Sequence, residues 1–488
     1  MLGGVVLAID VGTSSCRASL YDTRGRAVRG RMAQLVYAPT VTPDGGAELD
    51  PVILLERVYD VIDQVLLQPS TEPLVAVATT TFWHSLIGVD QHGNPLTPLF
   101  PWLDARSRQD AADLRRRLDQ HAVHSRTGCL LHWSYWPAKL AWLRRTQRDV
   151  FDKVDRWLSF GELLLEHVTG ERTVSVSMAS GTGLLDVHTN EWDAEVLDVL
   201  GVTVERLSAL APLSHTASVP ASAGQRWATL RDVPWLPAVG DGACSNIGAG
   251  CTTPDRVAIM IGTSGAERVV WATDGPFTIP WGVWCYRVDE RRLVLGGALN
   301  DGGSLFNWLH ATLRLPSLRA SEAAIAALPP DGHGLTILPF WAGERSPGWS
   351  DDARGAIVGL RLHTRPEEIL RAAMEAVALR FGEIDRLLEQ TLGSGRQVVG
   401  TGGALLHSPA WLQMLADVLG RPVLASSEAE ASSRGASLLA LETLGLLDGS
   451  LERLQPAARR HFQPQPAHTT VYRAAAERQR RLYDALIP

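Results

Sequence analysis

The sequence predicts an α/β protein with two domains around a central cleft, and three observations lead there. Strand-length apolar runs alternate with helical patterns along most of the chain. One strand–turn–strand unit occurs twice, as Val5-Val6-Leu7-Ala8-Ile9-Asp10-Val11-Gly12-Thr13-Ser14-Ser15 and as Val257-Ala258-Ile259-Met260-Ile261-Gly262-Thr263-Ser264-Gly265. The 488 residues exceed one ordinary core and suit two domains of roughly 240 residues each.

The rest of the chain is organised around the first unit. Residues 5–9 have the length and apolar continuity of a buried strand, and Arg17-Ala18-Ser19-Leu20-Tyr21 alternates like its antiparallel partner. Gly12 lets the backbone approach a ligand, and Thr13, Ser14 and Ser15 offer hydroxyls and N–H donors of the kind that cradle phosphate oxygens. Asp10, at the strand end, suits a hydrated Mg²⁺. Taken alone, the stretch reads equally as an ordinary hairpin. The second copy, which leads away through Glu267-Arg268-Val269-Val270-Trp271, favours a duplicated domain with a nucleotide between the halves.

Pro51 opens a helical pattern, and residues 74–79 form the next buried strand, delivering Thr80-Thr81-Phe82-Trp83-His84-Ser85 at its C-terminal end. Ligands bind at that end in open α/β sheets. Trp83 also suits a core position, and His84 a locally satisfied one. Trp102-Leu103-Asp104-Ala105-Arg106 starts a charged helix in which the carboxylate and guanidinium serve a polyol or a charge pair at the helix start. The small-residue stretch 216–229 and the prolines 234 and 237 place a boundary near Val239, giving domains 1–239 and 240–488.

Gly240-Asp241-Gly242 then opens a small-residue helix. A hydroxyl that receives a phosphoryl group needs a carboxylate within hydrogen-bond reach to take its proton. Asp241 is the candidate base, although Asp between glycines is also a competent N-cap. Gly296-Gly297 and Gly302-Gly303 precede a helical stretch, and residues 398–404 form a strand that ends in the turn Gly402-Gly403-Ala404.

Together the Asp10-x-Gly12-Thr13 hairpin, its Gly262-Thr263 echo, Gly240-Asp241-Gly242 and the run Gly355-x-Ile357-x-Gly359-Leu360…Glu368-Ile369-x-x-Ala372-Ala373-Met374-Glu375 resemble the FGGY carbohydrate kinases over essentially the whole chain. The resemblance implies two actin/hexokinase-like (ribonuclease H-like) ATPase domains. The N-terminal one would carry the sugar site and first phosphate hairpin, and the C-terminal one the second hairpin and the adenosine site. It implies MgATP as phosphoryl donor, with Thr13, Ser14, Ser15, Arg17, Gly262, Thr263, Gly302, Gly303, Gly402, Gly403 and Ala404 binding nucleotide. Asp10 and Asp241 would hold Mg²⁺ through water, and Trp83, His84, Asp104, Arg106, Asp241 and Arg345 would bind substrate. Arg17 also suits a plain surface strand.

Residues 81–86, 343–349 and 408–417 look like the gluconate-kinase branch, so D-gluconate phosphorylated at O6 is the expected reaction. A carboxylate substrate wants a cation, and Arg106 and Arg345 are the candidates. A xylulose or other polyol kinase is the neighbouring alternative, and a non-catalytic sugar sensor on the same fold is one of a different class. Retention of Asp10, Asp241 and both Gly-Thr turns argues against the sensor.

The formal charge of −7, with no basic tract, argues against nucleic-acid binding. Five scattered cysteines without ligand spacing predict free thiols in a reducing, cytoplasmic setting. No apolar stretch approaches a membrane span. The expected partners are a small sugar or sugar acid and MgATP, with a homodimer left open.

Overall fold

Seven consecutive buried residues make Val5–Val11 the middle of a five-stranded sheet with strand order Val239–Gly240, Leu74–Thr81, Val5–Val11, Ser15–Asp22, Ala27–Val36. Covered on both faces, such a strand has no reason to alternate, which is why its sequence is a continuous apolar run. A computed structural model describes residues 4–67, 72–220 and 226–487. The predicted small-residue stretch 216–229 therefore lies partly, at 221–225, outside the described residues.

The second sheet has seven strands, in the order Trp284–Arg287, Arg292–Leu299, Gly265–Ala272, Arg256–Ile261, Gln397–Thr401, Val423–Ser426, Ala458–Phe462. It repeats the plan of the first. In each sheet the opening strand pairs antiparallel with the strand after the Gly-Thr-Ser turn and parallel with a later strand on its other side. The N-terminal amides of both hairpin turns are closed alike, Gly12 N–H donating to Ser15 O and Gly262 N–H to Ser264 O, each at 2.9 Å.

Helices cover the sheets by burying one face each. Pro51–Leu66 starts as its sequence predicts, with Pro at the first position and the Asp50 carboxylate accepting from Val52 and Ile53 N–H; it buries Leu54, Leu55, Val58, Val61 and Ile62. Pro366–Leu392 lays Leu370, Phe381, Ile384 and Leu388 into the core of the second half.

The small residues of helix Ala431–Thr443 suggest packing beside the Gly402 turn, and Ala431 and Ser432 at its start do share a cavity wall with Gly402; its body then crosses to strands Val5–Val11 and Leu74–Thr81 and to helix Asp241–Gly248. Close approach explains it: a Cβ on Gly435 would strike the Cys244 carbonyl, and one on Gly248 the Ala431 carbonyl. Leu438, Leu439 and Leu441 share a core with Val6, Ala76, Ala78 and Ile247, so the C-terminal half of the chain covers the first sheet. No helix among the described residues is long and apolar enough to cross a membrane.

Candidate active site

The two hairpin turns and the strand ends beside them border three adjoining cavities. The one nearest the first sheet, about 310 Å³, is walled by Thr13, Ser14, Trp83, His84, Trp102, Asp241, Arg268, Tyr286 and Arg345 among others. A narrower one of about 200 Å³ shares Asp241, Met260 and Arg268 with it and adds Arg17, Gly402 and Glu430. The third, about 700 Å³, shares Gly262 and Thr263 with the first and adds Gly303, Gly403, Ala404, Phe306 and Trp411. The sizes suit small-molecule ligands.

Asp241 is carried to the middle of this track by Val239–Gly240, the short edge strand of the first sheet, and stands at the start of helix Asp241–Gly248. The N-cap position falls on Gly240, and the Asp241 carboxylate instead accepts from the Gly242 amide at 2.7 Å. Both flanking glycines are demanded by Trp83: a Cβ on Gly240 would enter its indole ring, and one on Gly242 would lie 2.6 Å from Cζ3. Trp83 is pinned in turn by its Nε1–H donating to Ser177 O at 3.0 Å. Burial pushes the Asp241 carboxyl above the usual carboxylate range against the pull of the Arg268 guanidinium.

Asp10 pairs with Arg17 as opposite rungs of the first hairpin, Oδ2 lying 3.3 Å from Nη1. Arg17 also reaches Glu430 of the bridging helix at 2.7 Å, and Ser433 Oγ donates to Asp10 at 3.4 Å. Burial raises the Asp10 carboxyl to about 7, Arg17 opposing and the Asp241 and Glu430 charges adding to the rise. Arg17 is thus a charge link between the two halves of the chain rather than a plain surface residue. Asp10 is not on the wall of any of the three cavities, but it lies close enough to Asp241 for their charges to interact; with the Thr13 and Ser14 hydroxyls on the wall they form an all-oxygen donor set, and an excess of carboxylate is what a divalent cation relieves. This chemistry fits Mg²⁺.

His84 has a left-handed backbone, φ 67°, which turns its ring into the cavity. Its Nδ1 hydrogen-bonds the Gly181 carbonyl, so Nδ1 carries the proton and Nε2 is left as an acceptor. Burial, with the Arg345 charge adding, holds it neutral, well below the ordinary histidine range. Trp102, on the same cavity wall, donates from Nε1 to Thr13 Oγ1 at 3.1 Å, tying that wall to the first hairpin turn.

Asp104 and Arg106 are not on the cavity wall, contrary to expectation. Asp104 is fully buried, accepting from the Ala47 amide and from Arg106, whose other contacts are Glu48 at 2.7 Å and the face of Trp142 at 4.6 Å. Residues two apart at this bend reach each other more easily than a ligand. Ser15 and Gly302 are also off the walls: Ser15 Oγ accepts from Arg17 at 3.4 Å, and Gly302 sits where a Cβ would meet Ser264 backbone.

Arg345 is where it was expected. Its guanidinium lies 5.3 Å from the Trp102 ring and 5.8 Å from Trp349. Among the described residues it forms no ion pair, and its Nε has no hydrogen-bond partner. The Ser346 amide donates to Ala298 O at 3.0 Å, which ties this loop to the second sheet.

The glycines of the second half make one crossing of backbone. Gly303 N–H donates to Gly262 O at 2.8 Å and Ser304 N–H to Thr263 O at 3.0 Å, and a Cβ on Gly303 would sit 2.5 Å from Gly262 O. Gly402, at φ +86°, has room for only a hydrogen beside Ile261. Gly262, Thr263, Gly303, Gly403 and Ala404 line the large cavity, and Gly402 lines the narrow one. Local spacing had not singled out Arg268, Tyr286, Met260 or Glu430. The charged Glu267-Arg268 inside an apolar strand was the one signal for the first.

Two α/β halves with matching hairpins, a half-buried carboxylate between them and a large cavity alongside are the parts of a kinase that passes a phosphoryl group to a small polar acceptor. Residues 5–248 match the N-terminal domain and residues 257–443 the C-terminal domain of the FGGY family of carbohydrate kinases. The chain belongs to that family and is an ATP-dependent sugar kinase. It is 29% identical over 459 residues to the gluconokinase of Bacillus subtilis (strain 168), covering 91% of this chain and 88% of the relative. It is similar to the crystal structure of gluconate kinase from Lactobacillus acidophilus, with TM-score 0.91, 27% identity and coverage of 99% and 98%. A ligand-bound xylulose kinase from the same organism is as similar, with TM-score 0.91, 28% identity and the same coverage.

Proposed function

We propose that this kinase phosphorylates D-gluconate at O6. The observation that carries the choice is Arg345, a cation on the wall of the sugar-side cavity with no ion pair among the described residues. Such a cation favours an acceptor with a carboxylate over a neutral sugar. The gluconokinase and gluconate kinase relatives support the same choice.

In this reading Asp241 takes the proton of the acceptor hydroxyl as its oxygen bonds to phosphorus and ADP leaves. Trp83 holds Asp241 in place through its flanking glycines, while His84 Nε2 accepts from a sugar hydroxyl. Arg345 holds the carboxylate. Thr13, Ser14, Gly262, Thr263 and Gly402 cradle phosphates, and Gly303, Gly403 and Ala404 line the nucleoside side. Asp10 and Asp241 hold magnesium, which supplies charge neutralisation on the phosphates.

The domain division falls at Val239, supported by the completion of the first sheet at Val239–Gly240 and the opening of the second at Arg256. A cytoplasmic setting is supported by five unpaired, buried cysteines.

Coupled ADP release with MgATP across gluconate, xylulose, ribulose and glycerol tests the assignment. Preference for gluconate, lost in Asp241→Ala while ATP still binds, is the expected result. Preference for xylulose, for which the equally similar xylulose kinase structure speaks, would move the substrate and keep the mechanism. Silence in a folded, ATP-binding protein would favour a sensor.

A further inference from the structure

Arg268 was absent from the sequence-based site, yet the fold makes room for it from two directions. It lies on strand Gly265–Ala272, opposite Gly296 in the ladder, where a Cβ would sit 3.1 Å from the arginine Cγ. At its tip, a Cβ on Gly242 would sit 2.9 Å from Nε. Glycines on the neighbouring strand and on the Asp241 helix thus leave a channel that the side chain fills.

Its charge acts on the Asp241 carboxyl through space, without a bond to it. Among the described residues Arg268 forms no ion pair and its side chain no hydrogen bond, and its Nε is buried without a partner. Only Nε is shut away from water; the residue is half-buried and borders two cavities, so the charge is open to an anion that arrives with the reaction.

The reaction brings two anions, and position separates them. Arg268 borders both the sugar-side cavity and the narrow cavity beside Arg17 and Gly402, as do Asp241 and Met260 alone. That divide is where an acceptor hydroxyl and a phosphoryl group meet. Arg268 is also the cation that acts on the Asp241 carboxyl, while Arg345 sits over Trp102 and Trp349 on the sugar side. In a six-carbon acid held by O6 at Asp241, the carboxylate is at the far end.

We propose that Arg268 is a catalytic residue that contacts the phosphoryl group in flight, leaving the acceptor's carboxylate to Arg345. The second half of that statement rests on the gluconate reading; the first does not. The transferring group spreads charge over three equatorial oxygens, and a planar guanidinium offers two parallel N–H donors to a pair of them. The oxygen–phosphorus bond to ADP breaks as that to the acceptor forms, and Asp241 receives the proton. Arg268 exchanges neither proton nor electrons.

The test uses the full chain and whichever acceptor the wild type turns over fastest. Arg268→Ala is expected to lower kcat by about 10²- to 10⁴-fold, with the acceptor KM within about threefold because the contact exists only during transfer. Added guanidinium ion should restore part of the lost rate, and MgADP with aluminium fluoride and acceptor should lock the wild type but not the variant. Arg268→Lys keeps charge and fills the channel; it decides the matter if the alanine variant does not fold, with kcat lowered at least about tenfold by loss of the paired donors. A raised acceptor KM with kcat intact, or neither constant changed, overturns the proposal. Preference of the wild type for an acceptor other than gluconate overturns the substrate reading alone, since Arg268 is still read with the preferred acceptor.

Discussion

Asp10 and Arg17 face each other across the first hairpin as paired residues of its ladder, and at the same rungs of the second hairpin stand Met260 and Ala266. The duplication therefore kept two turns with phosphate-type backbones but one carboxylate. Only the first copy carries the Arg17 link to Glu430 and the hydrogen bond from Ser433.

That asymmetry is testable by restoring the missing charge. Met260 borders both inner cavities, so Met260→Asp puts another carboxylate where phosphates are proposed to lie. Like charges in a confined site repel by amounts that translate to about tenfold or more in affinity. The KM for ATP should rise by that factor at fixed Mg²⁺, with the acceptor KM little changed.

Asp10 also gives a pH signature of stability. Its folded carboxyl titrates at about 7 against an ordinary 3.8. Below 3.8 both folded and unfolded chains hold the proton and nothing is lost; as pH rises toward 7 the unfolded chain ionises first, so wild-type stability falls. Asp10→Asn has no such penalty. Without nucleotide or metal it should melt higher than wild type at pH 8, by a difference that shrinks toward pH 4, while losing kinase activity. The full gap is on the order of 4 kcal/mol, and thermal melts across that pH range measure it.

Gly240 separates the scaffold role of the Gly-Asp-Gly motif from its chemistry. Gly240→Ala drives a methyl into the ring of Trp83, a residue 5% exposed and ringed by Trp284 and Tyr286. Overpacking of this kind costs about 1–3 kcal/mol. Retreat of Trp83 would break its Nε1–H bond to Ser177 O, so relaxation should displace Asp241. An earlier melt together with a fall in kcat of at least about tenfold is expected; a normal melt and normal kcat would show that the indole yields.

The two hairpins, the alternation of strands and helices and the Gly-Asp-Gly turn were legible because each is local: the residues that make a strand or turn are neighbours in sequence. What local spacing did not reveal was where long side chains end. Asp104 and Arg106 look like polyol ligands in sequence, but a buried carboxylate beside a bend takes the nearest cation. Arg268 looks like one residue of a strand, and its position depends on glycines 26 residues before it and 28 after it in the chain, at 242 and 296. The crossing of helix Ala431–Thr443 onto the first sheet likewise depends on Gly248 and Gly435 meeting across some 190 residues of sequence.

Arg345 and Arg106 should respond to replacement in different ways. Arg345 has no ion pair among the described residues and no hydrogen bond at Nε, so Arg345→Ala removes from the fold chiefly its contacts over the Trp102 and Trp349 rings, worth about 0.5–1 kcal/mol each. Losing a charged partner for a carboxylate should raise the KM for gluconate by about 10²-fold, and leave kcat and the melt near wild type. Xylulose, which has no carboxylate, should be used with little change. Arg106→Ala strands Asp104, whose side chain is wholly buried and 2.5 Å from the lost Nη2. Removing one member of a buried pair costs about 3–5 kcal/mol, so a lower melting temperature with a normal gluconate KM in the surviving folded protein is expected. Steady-state kinetics and melts on both variants, side by side, decide it: a raised gluconate KM in Arg106→Ala but not in Arg345→Ala would exchange their roles.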